Sequence, residues 1–272
     1  MRTWEELVRE VLETGEKRSD RTGTGTRSIF APDPLRYPIG PEAFMPLVTT
    51  KRVAWKKALA ELCWMLAGGS DLDSLLKAGG GVTDARNIWA PWDKGNGDLG
   101  PVYGAIWRGT HGGPDQLAWV VQELSERPDT RRAVLSSWAP EVIDDQALPP
   151  CPVLYQFSRR GVSLDLHVYQ RSADLFIGVP FDLAEYGAFM ILMARELGCW
   201  PGDLTVSFGD AHIYSNHIEQ AEEAISREPT GASGTLRVHP GAPGLLSGEL
   251  TAAHLEVAGY EAHPAIPAPV AV

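Results

Sequence analysis

The 272-residue sequence predicts an α+β fold: one domain over 1–272, with helices segregated onto a β-sheet. Segments of helical apolar period are interleaved with segments of strand-like alternation. No internal repeat divides the chain. Glycine and proline collect over 79–97 and 229–248, but no independent core pattern lies beyond either stretch, so neither is an interdomain linker. A chain of this length with 44% hydrophobic residues has ample material for one core.

Thr3-Trp4-Glu5-Glu6 is a capping box, with a hydroxyl at the N-cap and a carboxylate three residues later. Trp4, Leu7, Val8, Val11 and Leu12 follow at helical spacing. Trp55, Leu59, Leu62 and Leu66 mark a second helix, and Leu117, Val120, Val121 and Leu124 a third. Ala133 to Leu135 and Val153 to Phe157 read as buried strands. Val162, Leu164, Leu166 and Val168 alternate with polar residues, the period of a half-buried strand. The apolar stretch from Phe181 to Leu197 is a buried helix opened by Pro180, with Asp182 at its start and Gly198 at its end. Leu204, Val206 and Phe208 give a further strand, then Tyr214, Ile218, Ala221 and Ile225 a last helix.

Lys and Arg total 24 against 35 Asp and Glu, a formal charge of −11. That balance argues against bulk binding to nucleic acid or anionic membrane, and leaves room for a small anion held by local arginines. The first residues carry two acids where a signal peptide needs an apolar stretch, and no run reaches a membrane span of about 18 apolar residues. Cys63, Cys151 and Cys199 form neither a disulfide framework nor a zinc pattern. The expectation is a soluble, cytoplasmic protein with reduced thiols.

Cys63 is in register with a helix's apolar face, and Cys199 follows a helix end, so both read as structural. Cys151 stands between Pro150 and Pro152, which rigidify it in an extended conformation. A thiol held this way becomes a nucleophile if nearby cations lower its pKa. Asp20 to Thr26 combines Arg21 with hydroxyls and glycines, suited either to a phosphate or to a hairpin turn. Arg131 and Arg132 precede a strand, and Gln170-Arg171-Ser172 follows one; arginines at strand ends can clamp an anion. His212 and His217 lie near Asp210 without the further ligands a metal needs, so hydrogen bonding is the expected role.

Together these segments resemble the thymidylate synthase family almost end to end. The matching blocks are DRTGTGT (20–26), PLVTTKR (46–52), NGDLGPVYG (96–104), PDTRR (128–132), Pro150-Cys151, YQRSAD (169–174), GVPF (178–181) and DAHIYSNH (210–217). The tail from GYEAHP (259–264) to APVAV (268–272) completes the set. The resemblance implies a homodimer with a bent sheet at its interface, a pyrimidine nucleoside monophosphate as acceptor and 5,10-methylenetetrahydrofolate as one-carbon donor, with no metal. It implies that Cys151 adds to C6 of the pyrimidine, making C5 nucleophilic. Arg171 would activate the thiolate and touch the phosphate beside Arg21 and Ser172, while Arg131 and Arg132 would arrive from the partner subunit. Glu61 would organise proton transfer, Tyr103 would lie near the C5 proton, and His212 with Tyr214 would contact the sugar. Trp89, Trp92, Asp174, Gly178 and Val272 would surround the folate.

Two departures from the family pattern matter. Pro152 stands where the family carries histidine, removing an imidazole and an N–H from the base pocket. Asp182 stands where thymidylate synthases carry the asparagine that reads uracil O4 and N3–H. Cytosine presents the reverse pattern, a 4-amino donor and an N3 acceptor, which a protonated carboxyl can match. The same swap resembles deoxycytidylate hydroxymethylases of the superfamily. The preferred acceptor is therefore dCMP, with Ser172 favouring deoxyribose. Hydride delivery to the C5 methylene would give 5-methyl-dCMP; water would give the 5-hydroxymethyl product. Trp89, Trp92 and the complete tail favour a dry site and methylation. The other readings are an ordinary dUMP-using enzyme and a silent nucleotide-binding paralogue.

Overall fold

A computed structural model describes residues 2–93 and 95–270. Helix α1 (Trp4–Thr14) opens with the expected capping box: the Glu6 N–H donates to Thr3 Oγ1 at 3.2 Å and the Thr3 N–H to Glu6 Oε2 at 2.8 Å. Strands β1 (Glu16–Arg18), β2 (Thr26–Phe30) and β3 (Leu35–Pro38) follow, and residues 19–25 make the turn between the first two. Next come α2 (Trp55–Leu66), α3 (Leu72–Ala78), α4 (Tyr103–Arg108) and α5 (Gln116–Glu126). The chain continues through β4 (Val134–Ser136), β5 (Pro152–Arg160), β6 (Ser163–Asp174), α6 (Gly178–Glu196) and β7 (Trp200–Tyr214). It ends in α7 (Ile218–Ser226) and the β8 (Ser233–Val238)–β9 (Leu255–Tyr260) pair.

The main sheet has the order β1-β2-β7-β6-β5-β4, with β3 also paired to β7. Only β6 and β7 run parallel; the other pairs are antiparallel. Alternation along β6 turns Leu164, Leu166, Val168 and Gln170 inward, and Asp165, His167 and Tyr169 toward the opposite face. The inward residues meet α6, which is apolar nearly all round and correspondingly buried over most of its length. Trp107 stacks on Phe189 with ring centroids 5.4 Å apart, while Tyr155 and Phe157 meet Phe189 edge-on.

Glycine permits two close approaches that bring the helices together. A Cβ on Gly187 would fall 2.4 Å from the Pro46 ring, and one on Gly104 would fall 2.7 Å from the Met65 backbone. Without side chains there, α6 packs on the 46–52 segment and α4 on α2.

Two sequence expectations change, and one stretch left unassigned gains a strand. Helix α6 begins at Gly178, so Asp182 lies just past its first turn instead of opening it, and Pro180, which has no N–H to donate, occupies an early position where no helical donor is needed. Tyr214 ends the long β7, and the last helix proper starts at Ile218 after a 3₁₀ turn. The glycine- and proline-rich stretch at 229–248 contains β8, which pairs with β9.

The buried Trp4 indole donates to the Leu175 carbonyl at 2.7 Å, and the Leu175 N–H donates to the His212 carbonyl at 2.8 Å. These bonds fasten α1 and β7 to the segment entering α6. Trp4→Phe leaves that carbonyl unpaired and should destabilise the fold by about 1–3 kcal/mol. Urea denaturation checks this; an unchanged midpoint would contradict the structural role of the bond.

Candidate active site

Cys151 sits where a connecting segment enters β5, beside a register irregularity between Pro152 and Leu154. Both of its backbone polar groups are fixed. Its N–H donates to the Tyr103 hydroxyl at 3.2 Å, and its carbonyl accepts from the Arg171 N–H at 2.8 Å. The Arg171 side chain donates to the Pro150 carbonyl at 2.9 Å and the Pro149 carbonyl at 3.1 Å, with its guanidinium 5.2 Å from the Trp138 ring centroid. Burial pushes the Cys151 thiol up to about 12; Asp182 and Asp174 add to this, and Arg171 opposes it. In the free protein the sulfur therefore carries its proton.

Three carboxyls converge on the inner side of this site. Asp182 and Glu185 lie one turn apart on α6, and Glu61 faces them from α2. The Trp89 indole donates to Glu61 Oε1 at 2.7 Å. Gln170, inward-facing on β6, donates its amide to Asp182 Oδ2 at 2.6 Å. The Tyr186 hydroxyl donates to the Gln170 carbonyl at 3.4 Å, which leaves the NH₂ end for Asp182. Asp182 keeps partial solvent access, yet enclosure by protein raises its carboxyl to about 7, with the acids Glu61 and Asp174 adding to the effect. Burial raises Glu61 and, with Glu61 and Asp182 as like charges, Glu185.

Arg21 is exposed in the β1–β2 turn, and its charge reaches the Tyr214 phenol. Burial raises that phenol to about 12. Ser172 is half-buried opposite Asp210. Asp210 pairs with His212 through Oδ1 at 2.9 Å, and this hydrogen bond holds the Asp210 carboxyl low. His212 packs edge-on against Tyr214 at 5.1 Å between centroids. His217 Nε2 donates to the Pro269 carbonyl at 2.7 Å. Both histidines thus have hydrogen-bond partners, and no three His, Cys, Asp or Glu side chains cluster as metal ligands among the described residues.

Trp89 meets Trp92 and Tyr103 edge-on, each at 5.9 Å. The Trp92 indole N–H is buried without a protein partner. Asp174 Oδ1 accepts from the Phe176 and Ile177 N–H groups at 2.9 and 3.2 Å, forming the turn into α6. Gly178 opens that helix, and a Cβ there would lie 3.5 Å from Asp174 and 3.8 Å from Asp182 Oδ2. Ile266, Ala268 and Val270 of the tail line a cavity of about 230 Å³ together with Lys51, Phe176 and Phe181. Val272 lies outside the described residues.

Arg131 and Arg132 are not brought to Cys151 within this chain. The Gln156 amide donates to the Arg131 carbonyl at 3.5 Å, and Gln156 is five residues along β5 from Cys151, about 17 Å at strand rise. Lys51, Gln170, Trp138 and Glu185 are site neighbours that sequence reasoning did not single out. Lys51 lies 4.2 Å from the Phe176 ring centroid, and burial lowers its ammonium to about 8, partly offset by Asp174. The sequence reading placed Gln170-Arg171-Ser172 after a strand; β6 instead continues to Asp174, and its alternation turns Gln170 inward. Nothing local signalled which face of an all-apolar helix Glu185 would occupy.

Iodoacetamide should label Cys151 slowly near pH 7, at a rate still rising near pH 9, with Cys151→Ser as control. A plateau below about pH 8 would contradict a burial-raised thiol. Asp182 ionises at 3.8 when unperturbed but near 7 in the fold. The folded state therefore holds a proton that the unfolded chain has lost, so this group lowers stability as pH rises between those values. Asp182→Asn should raise Tm at pH 8 relative to the parent and leave it nearly unchanged at pH 4, as calorimetry can check.

No helix among the described residues is long and apolar enough to cross a membrane. The thymidylate synthase family model matches residues 2–272. It spans the thiol on β5, the carboxyls on α2 and α6, the turn between β1 and β2 and the tail. This chain belongs to the thymidylate synthase family, whose chemistry is folate-dependent one-carbon transfer to C5 of a pyrimidine nucleotide.

Proposed function

We propose that the chain transfers one carbon from methylenetetrahydrofolate to C5 of dCMP, forming 5-methyl-dCMP. The observation that carries this reading is Asp182, a carboxyl at the base pocket that keeps its proton to about 7 while Gln170 holds its Oδ2. In this reading Oδ1–H donates to N3 of cytosine, and the remaining lone pair of Oδ2 accepts from the 4-amino group. Ionised Asp182 facing uracil O4 would set acceptor against acceptor. Mismatches of this kind in a buried site discriminate by about 10⁴ in kcat/KM.

Cys151 gives its proton to water as its sulfur bonds to C6, and takes one back when the C6–S bond breaks at the end. The C5–C6 electron pair moves toward C5 and the N3–C4 side of the ring, where the Asp182 proton meets the growing charge at N3. Arg171, which already opposes the raised thiol pKa, stabilises the thiolate and takes the substrate phosphate with Arg21 and Ser172. His212 and Tyr214 hold the sugar, and Tyr103, fixed by the Cys151 N–H, borders C5. Glu61 manages the protons around the ring.

The folate supplies the one-carbon unit and, for methylation, the hydride. The cavity between the tail and the start of α6 suits its flat rings, with apolar walls and Lys51 as the cation for a carboxylate. Trp89, Trp92, Asp174, Gly178 and the C-terminal Val272 complete that side of the reading. His217 ties the tail at Pro269, and Arg227 donates to the Pro264 carbonyl at 2.8 Å. A tail anchored beside the site favours water exclusion, and with it the methyl product over 5-hydroxymethyl-dCMP.

The reading includes a homodimer in the cytoplasm, with the sheet face turned away from α6 as its interface. Gln156, Ser158, Asp165 and His167 leave that face polar and open around a groove of about 450 Å³. A second sheet packed there would let Arg131 and Arg132 reach the partner's phosphate rather than their own.

Incubation with methylenetetrahydrofolate and either dCMP or dUMP, followed by product mass measurement, tests the reading. The expected product is dCMP heavier by one methylene, formed faster than thymidylate. Addition of hydroxymethyl would redirect the final step to water, and faster thymidylate formation would overturn the cytosine reading. No product from either nucleotide would leave only a binding protein. Asp182→Asn should shift preference toward dUMP.

A further inference from the structure

Glu185 is only 6% exposed, and its Oε1 is shut off from solvent with no hydrogen-bond partner. A buried, unpaired carboxylate oxygen is costly, so its retention calls for a reason. The side chain projects from α6 one turn beyond Asp182 and lies within hydrogen-bonding reach of Glu61 on α2. Glu61 has one oxygen committed to the Trp89 indole. Two carboxyls can hydrogen-bond only if a proton lies between them.

We propose that Glu185 is a positioning residue for the C5 transfer, holding one proton in a pair with Glu61. The pair supplies that proton while sulfur bonds to C6 and recovers one when the C5–H bond breaks. This role rests on the family reaction and holds for either pyrimidine, so it is separable from the dCMP reading.

The surroundings keep the proton in the pair. Asp182 on α6 is the other acid acting on Glu185. The hydroxyls of Tyr155 on β5, Tyr186 on α6 and Tyr103 on α4 complete the titratable neighbours, with the Cys151 thiol beyond them. None of the groups acting on either glutamate is a cation, among the described residues. Burial raises both carboxyls, and the hydrogen bond between them favours ionisation of Glu61 while Glu185 keeps the proton.

When substrate is converted, the balance is closed. One proton passes from the pair, through water, to the C4 side of the ring as charge arrives there. One proton leaves C5 after the new C5–carbon bond forms and the pair takes it back, while the proton lent to the C4 side passes through water to the folate nitrogen that departs. Glu185 touches neither substrate nor folate in this scheme. It acts through Glu61, keeping Glu61 ionised and oriented at pH values where an isolated buried glutamate would be neutral.

The experiment compares the full-length protein with Glu185→Gln, using whichever pyrimidine nucleotide it converts. Release of tritium from C5 and product formation are followed between about pH 6 and 9. The amide is nearly isosteric and can still donate to Glu61, so folding should survive. The expected result is a kcat about 10–100-fold lower with KM changed less than about threefold, and a deficit that deepens toward low pH. The sign follows because the weaker amide donor stabilises the Glu61 carboxylate less, so Glu61 takes up a proton at a higher pH. Activity within about twofold of the parent at every pH would overturn the proposal, as would a uniform loss with an unshifted profile. Infrared difference titration of the unmutated protein is independent of the variant's folding. A carboxylic-acid band should persist above pH 8, and its absence would overturn the shared proton. Failure of the dCMP assay alone would leave all these readouts in place.

Discussion

The site depends on burying the apolar α6 between α2 and the sheet. A helix buried nearly all round cannot present its two acids, Asp182 and Glu185, to bulk water. They must be paired, protonated or put to use, and the neighbouring elements do all of these. Gln170 from β6 meets Asp182, and Glu61 from α2 meets Glu185. Raised carboxyl pKa values and a protonated thiol follow from that packing.

The acids and the thiol also oppose one another. Carboxyls clustered near Cys151 disfavour its thiolate, and Arg171 alone acts in the opposite direction among the charges on it. In the proposed reaction the acids hold protons until charge reaches the pyrimidine ring, which relieves this opposition at the moment of addition. An overall charge of −11 surrounds a site beside which Arg171 lies over the Trp138 ring and Lys51 over the Phe176 ring.

Much of the fold was legible from the chain. The capping box at Thr3, the apolar periods of α2 and α5, and the alternation of β6 stand where local pattern placed them. Local pattern did less well where packing overrides it. Tyr214 continues β7 because β2 pairs with it there, and β8 forms inside a glycine- and proline-rich stretch because β9 supplies a partner. Cys151, Arg171, Asp182 and Tyr103 were legible as site candidates through motif order. Arg131 and Arg132 lie away from the thiol in their own chain, for they precede β4, whose first residue already pairs with Gln156, five residues along from Cys151.

The sequence by itself determined the family, and it marked Cys151 and Asp182 as the candidate nucleophile and the candidate base reader, because those features reside in residue identity and order. Only the tertiary structure decided that Gln170 steadies Asp182, that Trp89 steadies Glu61, and that Glu185 turns inward toward another acid. Those outcomes depend on which side of a buried helix faces which strand. Helical period cannot specify that side when nearly every position is apolar; close packing does, as where Gly187 of α6 meets the Pro46 ring.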